Sequence, residues 1–182
     1  ALSADHEVLK TQGNFNNEIG LPLTLLELNE THRYAVIEMG MRGAGEIAYL
    51  AEIAQPTIGV VTNVEDVHIE RLGSREAIAL AKSELISALP AEKSVAFLSN
   101  DDPYVIQMKQ IAPDEVLTFG RSSDADVQGQ ILIHSRAGLS IQYNYQGIDG
   151  EFFVPLSGRH QLGTSLAAFG VARSLGPPPL TI

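Results

Sequence analysis

Apolar residues along this chain follow two rhythms, and the change from one to the other divides it. Up to about residue 120, short continuous apolar runs alternate with stretches of helical spacing. Residues 8–11, 34–40, 58–63, 94–98 and 115–119 are runs of strand length. Unbroken apolarity, as in 34–37 and 58–61, marks strands buried on both faces of a parallel sheet. Between the runs, residues 21–28, 45–54, 75–89 and 103–111 place their apolar side chains on one helical face. Ser74 is an N-cap for the helix at 75–89 and Pro90 stops it, while Asp101, Asp102 and Pro103 open the next helix. Residues 1–7 read as the last turns of a helix.

This alternation predicts an α/β fold, with a mostly parallel sheet flanked by helices. After Arg121 the pattern turns to alternation of apolar and polar residues at 127–134, 139–145 and 148–154, with Gly138, Gly147 and Gly150 near the turns. That predicts a small antiparallel β meander at about 126–154. A last helix is expected from about Arg159 to Leu175, ended by Gly176 and the prolines that follow. Residues 177–182 read as the start of a linker, so the domain is expected to span 1–176.

Composition narrows the function classes. The 182 residues suit one domain, with 45% hydrophobic and 19% charged residues. The absence of cysteine excludes a disulfide framework and thiolate metal sites, leaving oxygen or imidazole for any cation. A net charge of −10 argues against nucleic acid or an anionic membrane as the main partner. No apolar run reaches the roughly 18 residues of a membrane span, and residues 1–10 are unlike a signal peptide. With Ala1 in place of an initiating Met, the chain is expected to be a cytoplasmic piece of something longer.

In open α/β sheets ligands bind beyond the carboxyl ends of the strands. Three places there, and one lysine on the long helix, carry candidate chemistry. Residues 11–22 (TQGNFNNEIGLP) hold two glycines and three asparagines between a strand and a helix. Such a loop serves either as a plain connection or as a cradle for a polar ligand. Glu38 ends an apolar run, as a cap for the next helix or as a hard oxygen ligand for Mg²⁺ beside phosphates. His68 lies in the loop that follows Thr62-Asn63, where a histidine is either structural or functional. Lys82 borders the stripe Ile78, Ala81, Leu85 and Leu89, a position from which lysines usually reach out to solvent. Glu65, Asp66 and Glu70 read as a solvated acidic face.

The order of these motifs says more than any one of them. The chain runs T-x-G-N-x-N-N-x-x-G-x-P, then E-M-G, G-E-I, T-N-x-x-x-x-H and A-K-x-E, and closes with P-L-S-G-R-H. It resembles the central domain of the Mur ligases over nearly all of residues 6–176. Within that family, the Asn-rich loop and Ile37-Glu38-Met39-Gly40 match best the member that adds D-alanyl-D-alanine to UDP-N-acetylmuramoyl-tripeptide in peptidoglycan synthesis. The resemblance implies an ATP-dependent, Mg²⁺-requiring ligase that forms an amide through an acyl phosphate and is monomeric in its full-length form. It implies that Glu38 binds the Mg²⁺ bridging the ATP phosphates, that His68 helps hold a second Mg²⁺, and that Lys82 is the family's carbamylated lysine. Asn63, His160, Gln161 and Thr164 would face ATP, and Thr11, Asn14, Asn16 and Asn17 the UDP-linked substrate.

Three departures fall on the ATP side. The family's Gly-Lys-Thr phosphate loop and the strand feeding it come just before residues 1–7 in its pattern and are not in this sequence. The last helix opens His160-Gln161-Leu162-Gly163-Thr164 where the family has His-Asn-x-x-Asn. Glu65 and Val67 stand where a glycine and a small residue are usual. The chain alone is therefore expected to be inactive, either as the middle of a ligase or as a non-catalytic relative or engineered scaffold that has lost ATP binding.

Overall fold

The computed structural model describes residues 1–66 and 69–176. After a 3-10 turn at Leu2–Ala4, the order is β1 (Val8–Lys10), α1 (Gly20–Leu25), β2 (Tyr34–Val36), α2 (Glu46–Ala54) and β3 (Ile58–Val61). There follow α3 (Ile69–Leu72), α4 (Arg75–Ser87), β4 (Val95–Ser99), α5 (Pro103–Gln107) and β5 (Glu115–Gly120). Three longer strands, β6 (Val127–Ser135), β7 (Gly138–Tyr145) and β8 (Ile148–Val154), lead to α6 (Gln161–Ser174).

β3 to β8 form one six-stranded sheet in sequence order. The pairs β3–β4, β4–β5 and β5–β6 are parallel, and β6–β7 and β7–β8 antiparallel. The meander is thus continuous with the parallel sheet rather than an appendage to it. The join is short, with Phe119 opposite Val127 and Gly120 opposite Gln128. Asp126 secures it by accepting from the Thr118 backbone N–H at 2.8 Å and from the Thr118 hydroxyl at 2.7 Å. Gln146 and Gly147 both have positive φ, as a two-residue hairpin turn between β7 and β8 requires.

The sheet is covered on both faces. Phe97, Phe119, Val127, Leu139, Ile141 and Phe152 pack with Leu162, Leu166 and Phe169 of α6. On the opposite face Ala96 and Leu98 pack with Ile78 and Ile86 of α4 and Val105 of α5. Adjacent residues of β4 point into different cores, which is why that segment is apolar without alternation. Gly129 lets α6 sit close, because a Cβ there would overlap the Leu166 side chain. Both helix starts predicted on the second face are present: Ser74 Oγ accepts from the Ala77 N–H, and Asp102 Oδ1 from those of Tyr104 and Val105.

Several expectations fail in part: residues 1–7 hold only the 3-10 turn, and Val60 in the run 58–61 is 37% exposed. The run 34–40 forms only the three-residue strand β2, and it is not buried on both faces. It pairs in parallel with β1 in a separate two-stranded sheet, and Val36 is 52% exposed. Among the described residues no strand pairs with the other edge of β2, or with the edge of β3 away from β4. Local apolarity records that a strand belongs in a sheet interior, whereas burial depends on which strands stand beside it. α1 likewise stops at Leu25, short of the predicted residue 28. No helix among the described residues is long and apolar enough to cross a membrane.

Candidate active site

The loop from Thr11 to Asn17 is tied down at both ends. The Thr11 N–H donates to the Val36 carbonyl at 3.1 Å, prolonging the β1–β2 pairing by one step. The Thr11 hydroxyl accepts from the Glu38 N–H at 2.9 Å. Further along, the Asn16 carbonyl accepts from the Gly40 N–H at 2.7 Å, and Asn16 Nδ2 donates to Glu38 Oε1 at 2.7 Å. Gly40 leaves room for this approach, since a Cβ there would lie 2.9 Å from the Asn16 amide carbon. Asn17 acts locally, with Oδ1 accepting from the Ile19 N–H at 3.1 Å and the Gly20 N–H at 2.8 Å to close the turn into α1. Asn14 is exposed, and its side chain makes no protein hydrogen bond among the described residues.

A second group gathers where β3 ends. Asn63 holds its own loop, its Nδ2 donating to Glu65 Oε1 at 2.7 Å. Its carbonyl accepts from Lys82 Nζ on α4 at 2.6 Å. Lys82 is half-buried, and burial pushes its pKa below the ordinary lysine value, with Glu65 and Asp102 pulling the other way. The acidic face is more structured than expected. Glu65 is bonded as described, and Asp66 makes a two-point pair with Arg75 whose shorter contact is 2.5 Å, which holds its carboxyl below the usual range. His68 lies outside the described residues.

The two groups share a scaffold through α2 and α4. Glu84, on the helix that carries Lys82, accepts from the Gly45 N–H at 2.6 Å and the Ala48 N–H at 3.0 Å. A carboxylate is favourable at these unpaired N–H groups at the start of α2. Asp102 Oδ2 accepts from the Val64 N–H at 2.7 Å, fixing the chain just past Asn63. Neither Glu84 nor Asp102 was singled out for a site role from the sequence. The motif A-K-x-E was the one signal for Glu84, and Asp102 read only as a helix cap. His160, Gln161 and Thr164 lie at the start of α6. His160 Nε2 and Gln161 Nε2 are 3.1 Å apart, Thr164 is exposed, and no hydrogen bond among the described residues joins the three to either group.

This arrangement suits a cation bound jointly with a ligand. Among the described residues no three His, Cys, Asp or Glu side chains come together as a metal cage. Mg²⁺ needs no such cage, because it keeps several waters and takes one or two carboxylates plus phosphate oxygens. Glu38 fits that role. Its carboxylate is exposed and bonded through Oε1, and no Lys or Arg among the described residues pairs with it. Lys82 as an ammonium cannot ligate a cation, but its carbamate would present oxygens.

Comparison with known proteins places this arrangement in a family. The pattern of the Mur ligase middle domain matches residues 1–172. The chain is 38% identical over 178 residues to the UDP-N-acetylmuramoyl-tripeptide–D-alanyl-D-alanine ligase of Bacillus subtilis, covering 98% of this chain and 38% of that protein. It is 41% identical over 179 residues to the ligase of the same name from Synechocystis, with 96% and 36% covered. Among solved structures, MurF from Acinetobacter baumannii superposes with a TM-score of 0.89 at 29% identity, over 97% of this chain and 38% of that one. MurF ligase from Thermotoga maritima, solved in complex with ADP, gives 0.83 at 30% identity, over 97% and 41%. The chain therefore spans somewhat over a third of the relatives it matches, and it belongs to the Mur ligase family as a middle domain.

Proposed function

We propose that this chain is the ATP-side domain of a ligase that joins D-alanyl-D-alanine to UDP-N-acetylmuramoyl-tripeptide in the cytoplasm. The observation that carries the reading is identity of 38% and 41%, along almost the whole chain, to relatives bearing that name. ADP in the Thermotoga maritima structure supports nucleotide use on this fold.

In the proposed reaction a carboxylate oxygen of the tripeptide attacks the γ-phosphorus of ATP, releasing ADP and forming an acyl phosphate. The amine of D-alanyl-D-alanine then attacks the acyl carbon, and phosphate leaves with the original carboxylate oxygen. Mg²⁺ would neutralise charge on the transferring phosphoryl group, with Glu38 as its ligand and His68 and Lys82 on a second ion. Held by Thr11 and Asn16, Glu38 places one carboxylate beside the phosphates without rearrangement during reaction. Asn63, His160, Gln161 and Thr164 face ATP in this reading. Thr11, Asn14, Asn16 and Asn17 form the wall toward the UDP-linked substrate, and the exposed Asn14 amide, which has no hydrogen-bond partner among the described residues, is available to it. The edges of β2 and β3 that no strand among the described residues pairs, with Val36 and Val60 exposed, leave a place for the strand that brings the family's phosphate loop.

The test is product formation by the full-length protein with ATP, Mg²⁺, UDP-N-acetylmuramoyl-tripeptide and D-alanyl-D-alanine. One UDP-linked pentapeptide per ADP is expected, with no ADP formed when the tripeptide is left out. Binding of the tripeptide without binding of ATP would instead favour a non-catalytic relative, the reading that Glu65, Gln161 and Thr164 support.

A further inference from the structure

We infer that Asn16 is a positioning residue for the Glu38 carboxylate, and that the loop carrying it serves the cation side of the site as well as the substrate side. The inference rests on the proposed role of Glu38 as a Mg²⁺ ligand. Three observations carry it. First, Asn16 Nδ2 lies 2.7 Å from Glu38 Oε1, and an ionised carboxylate only accepts, so the amide must present its N–H₂ to it. One carboxylate oxygen is thereby committed, and the rotation that would carry the other away from the site is opposed.

Second, this contact between residues 22 apart in sequence is braced by backbone. The Gly40 N–H bonds the Asn16 carbonyl at 2.7 Å, and the Glu38 N–H bonds the Thr11 hydroxyl at 2.9 Å. Loop and carboxylate therefore move as one body. Third, the site is built for closeness, because a methyl group at Gly40 would lie within 3.0 Å of the Asn16 amide carbon, oxygen and nitrogen. The glycine that follows the carboxylate by two residues makes way for the amide that holds it.

Groups that hold a metal ligand from behind fix its orientation, and their loss costs about 10–100-fold in metal affinity. The same loop closes the turn into α1 through Asn17, so occupation of its outer face by the UDP-linked substrate would be transmitted to Glu38 through the Asn16 amide. The substrate loop would thus couple substrate binding to cation binding.

The experiment is titration of Mn²⁺, followed by its electron paramagnetic resonance signal, into full-length protein with an ATP analogue bearing an imido β–γ bridge. Wild type is compared with Asn16→Ala, Gly40→Ala and Glu38→Ala, and affinity for the UDP-linked tripeptide is measured in parallel. Asn16→Ala is expected to weaken Mn²⁺ by about 10–100-fold, with the folded circular dichroism spectrum kept. Gly40→Ala, which leaves the amide in place but displaces it, should weaken Mn²⁺ in the same direction. Adding the tripeptide should tighten Mn²⁺ in wild type and fail to do so in Asn16→Ala. A merely structural role would lower both affinities together without changing that coupling. Mn²⁺ affinity lost in Glu38→Ala but kept within twofold in both Asn16→Ala and Gly40→Ala would overturn the inference and leave the proposed function standing. Mn²⁺ affinity unchanged in Glu38→Ala would overturn the role of Glu38 itself.

Discussion

Glu38→Ala in the full-length protein is expected to lower kcat by roughly 10²–10³-fold, the scale of losing one fixed electrostatic partner of transition-state charge. The loss should sit mainly in kcat and in the Mg²⁺ requirement, because Glu38 is assigned to the phosphates, and any tightening of the UDP-linked tripeptide by the cation should go with it. Fold should be kept. Glu38 is exposed, and its truncation leaves the Asn16 amide near water rather than orphaned in a core, while the backbone bond from residue 38 to the Thr11 hydroxyl is kept. Wild-type kcat at saturating Mg²⁺ in Glu38→Ala would contradict the assignment.

Lys82→Ala is expected to produce the other large loss, again about 10²-fold or more in kcat, because it removes both the side chain and the carbamate proposed on it. The pH dependence distinguishes the carbamate from a plain ammonium. A neutral amine adds CO₂ to give a carbamate and one proton, so carbamate occupancy rises with pH. Burial already pushes the Lys82 pKa down, which makes the neutral amine more available than on a surface lysine. A carbamate resonance from ¹³C-bicarbonate should therefore strengthen from neutral to alkaline pH and vanish in Lys82→Ala. Without CO₂ the stability effect has a definite sign. The folded state loses the Lys82 proton at lower pH than the unfolded chain does. Below the folded pKa the buried charge costs stability, and that cost is relieved as pH rises through it toward the ordinary lysine value. Urea denaturation of wild type against Lys82→Met in CO₂-free buffer should show the difference changing in that alkaline window and nowhere else.

Much of the fold was legible because its signals are local. Ser74 and Asp102 cap the helices they were expected to cap. The unbroken apolar run of β4 is buried on both faces, and the alternation after residue 121 is an antiparallel meander. What escaped reading depends on neighbours remote in sequence. The run 34–40 has the composition of an interior strand, yet β2 stands in a two-stranded sheet with Val36 exposed. Nothing between residues 121 and 154 announces that the meander joins the parallel sheet through two residue pairs at Phe119 and Gly120.

The site divides in the same way. Residue types and motif order picked out Thr11, Asn16, Glu38, Asn63 and Lys82, and the structure joins Thr11, Asn16 and Glu38 in one hydrogen-bonded group and Asn63 with Lys82 in another. The sequence could not distribute the three asparagines among their tasks. Asn16 turns toward Glu38, Asn17 toward its own backbone and Asn14 toward solvent, and each choice is set by chain geometry rather than by residue type. Glu84 and Asp102 anchor backbone N–H groups 36 to 39 residues away in sequence, which no local pattern encodes.

The most direct test of the account follows one oxygen atom. The full-length protein is supplied with ATP, Mg²⁺, D-alanyl-D-alanine and UDP-N-acetylmuramoyl-tripeptide carrying ¹⁸O in its terminal carboxylate, and the released phosphate is analysed by mass. Transfer through an acyl phosphate predicts one ¹⁸O atom in each phosphate, with release dependent on D-alanyl-D-alanine and slowed in Glu38→Ala without loss of label from the phosphate that is still formed. Unlabelled phosphate released at the rate of product formation would contradict it.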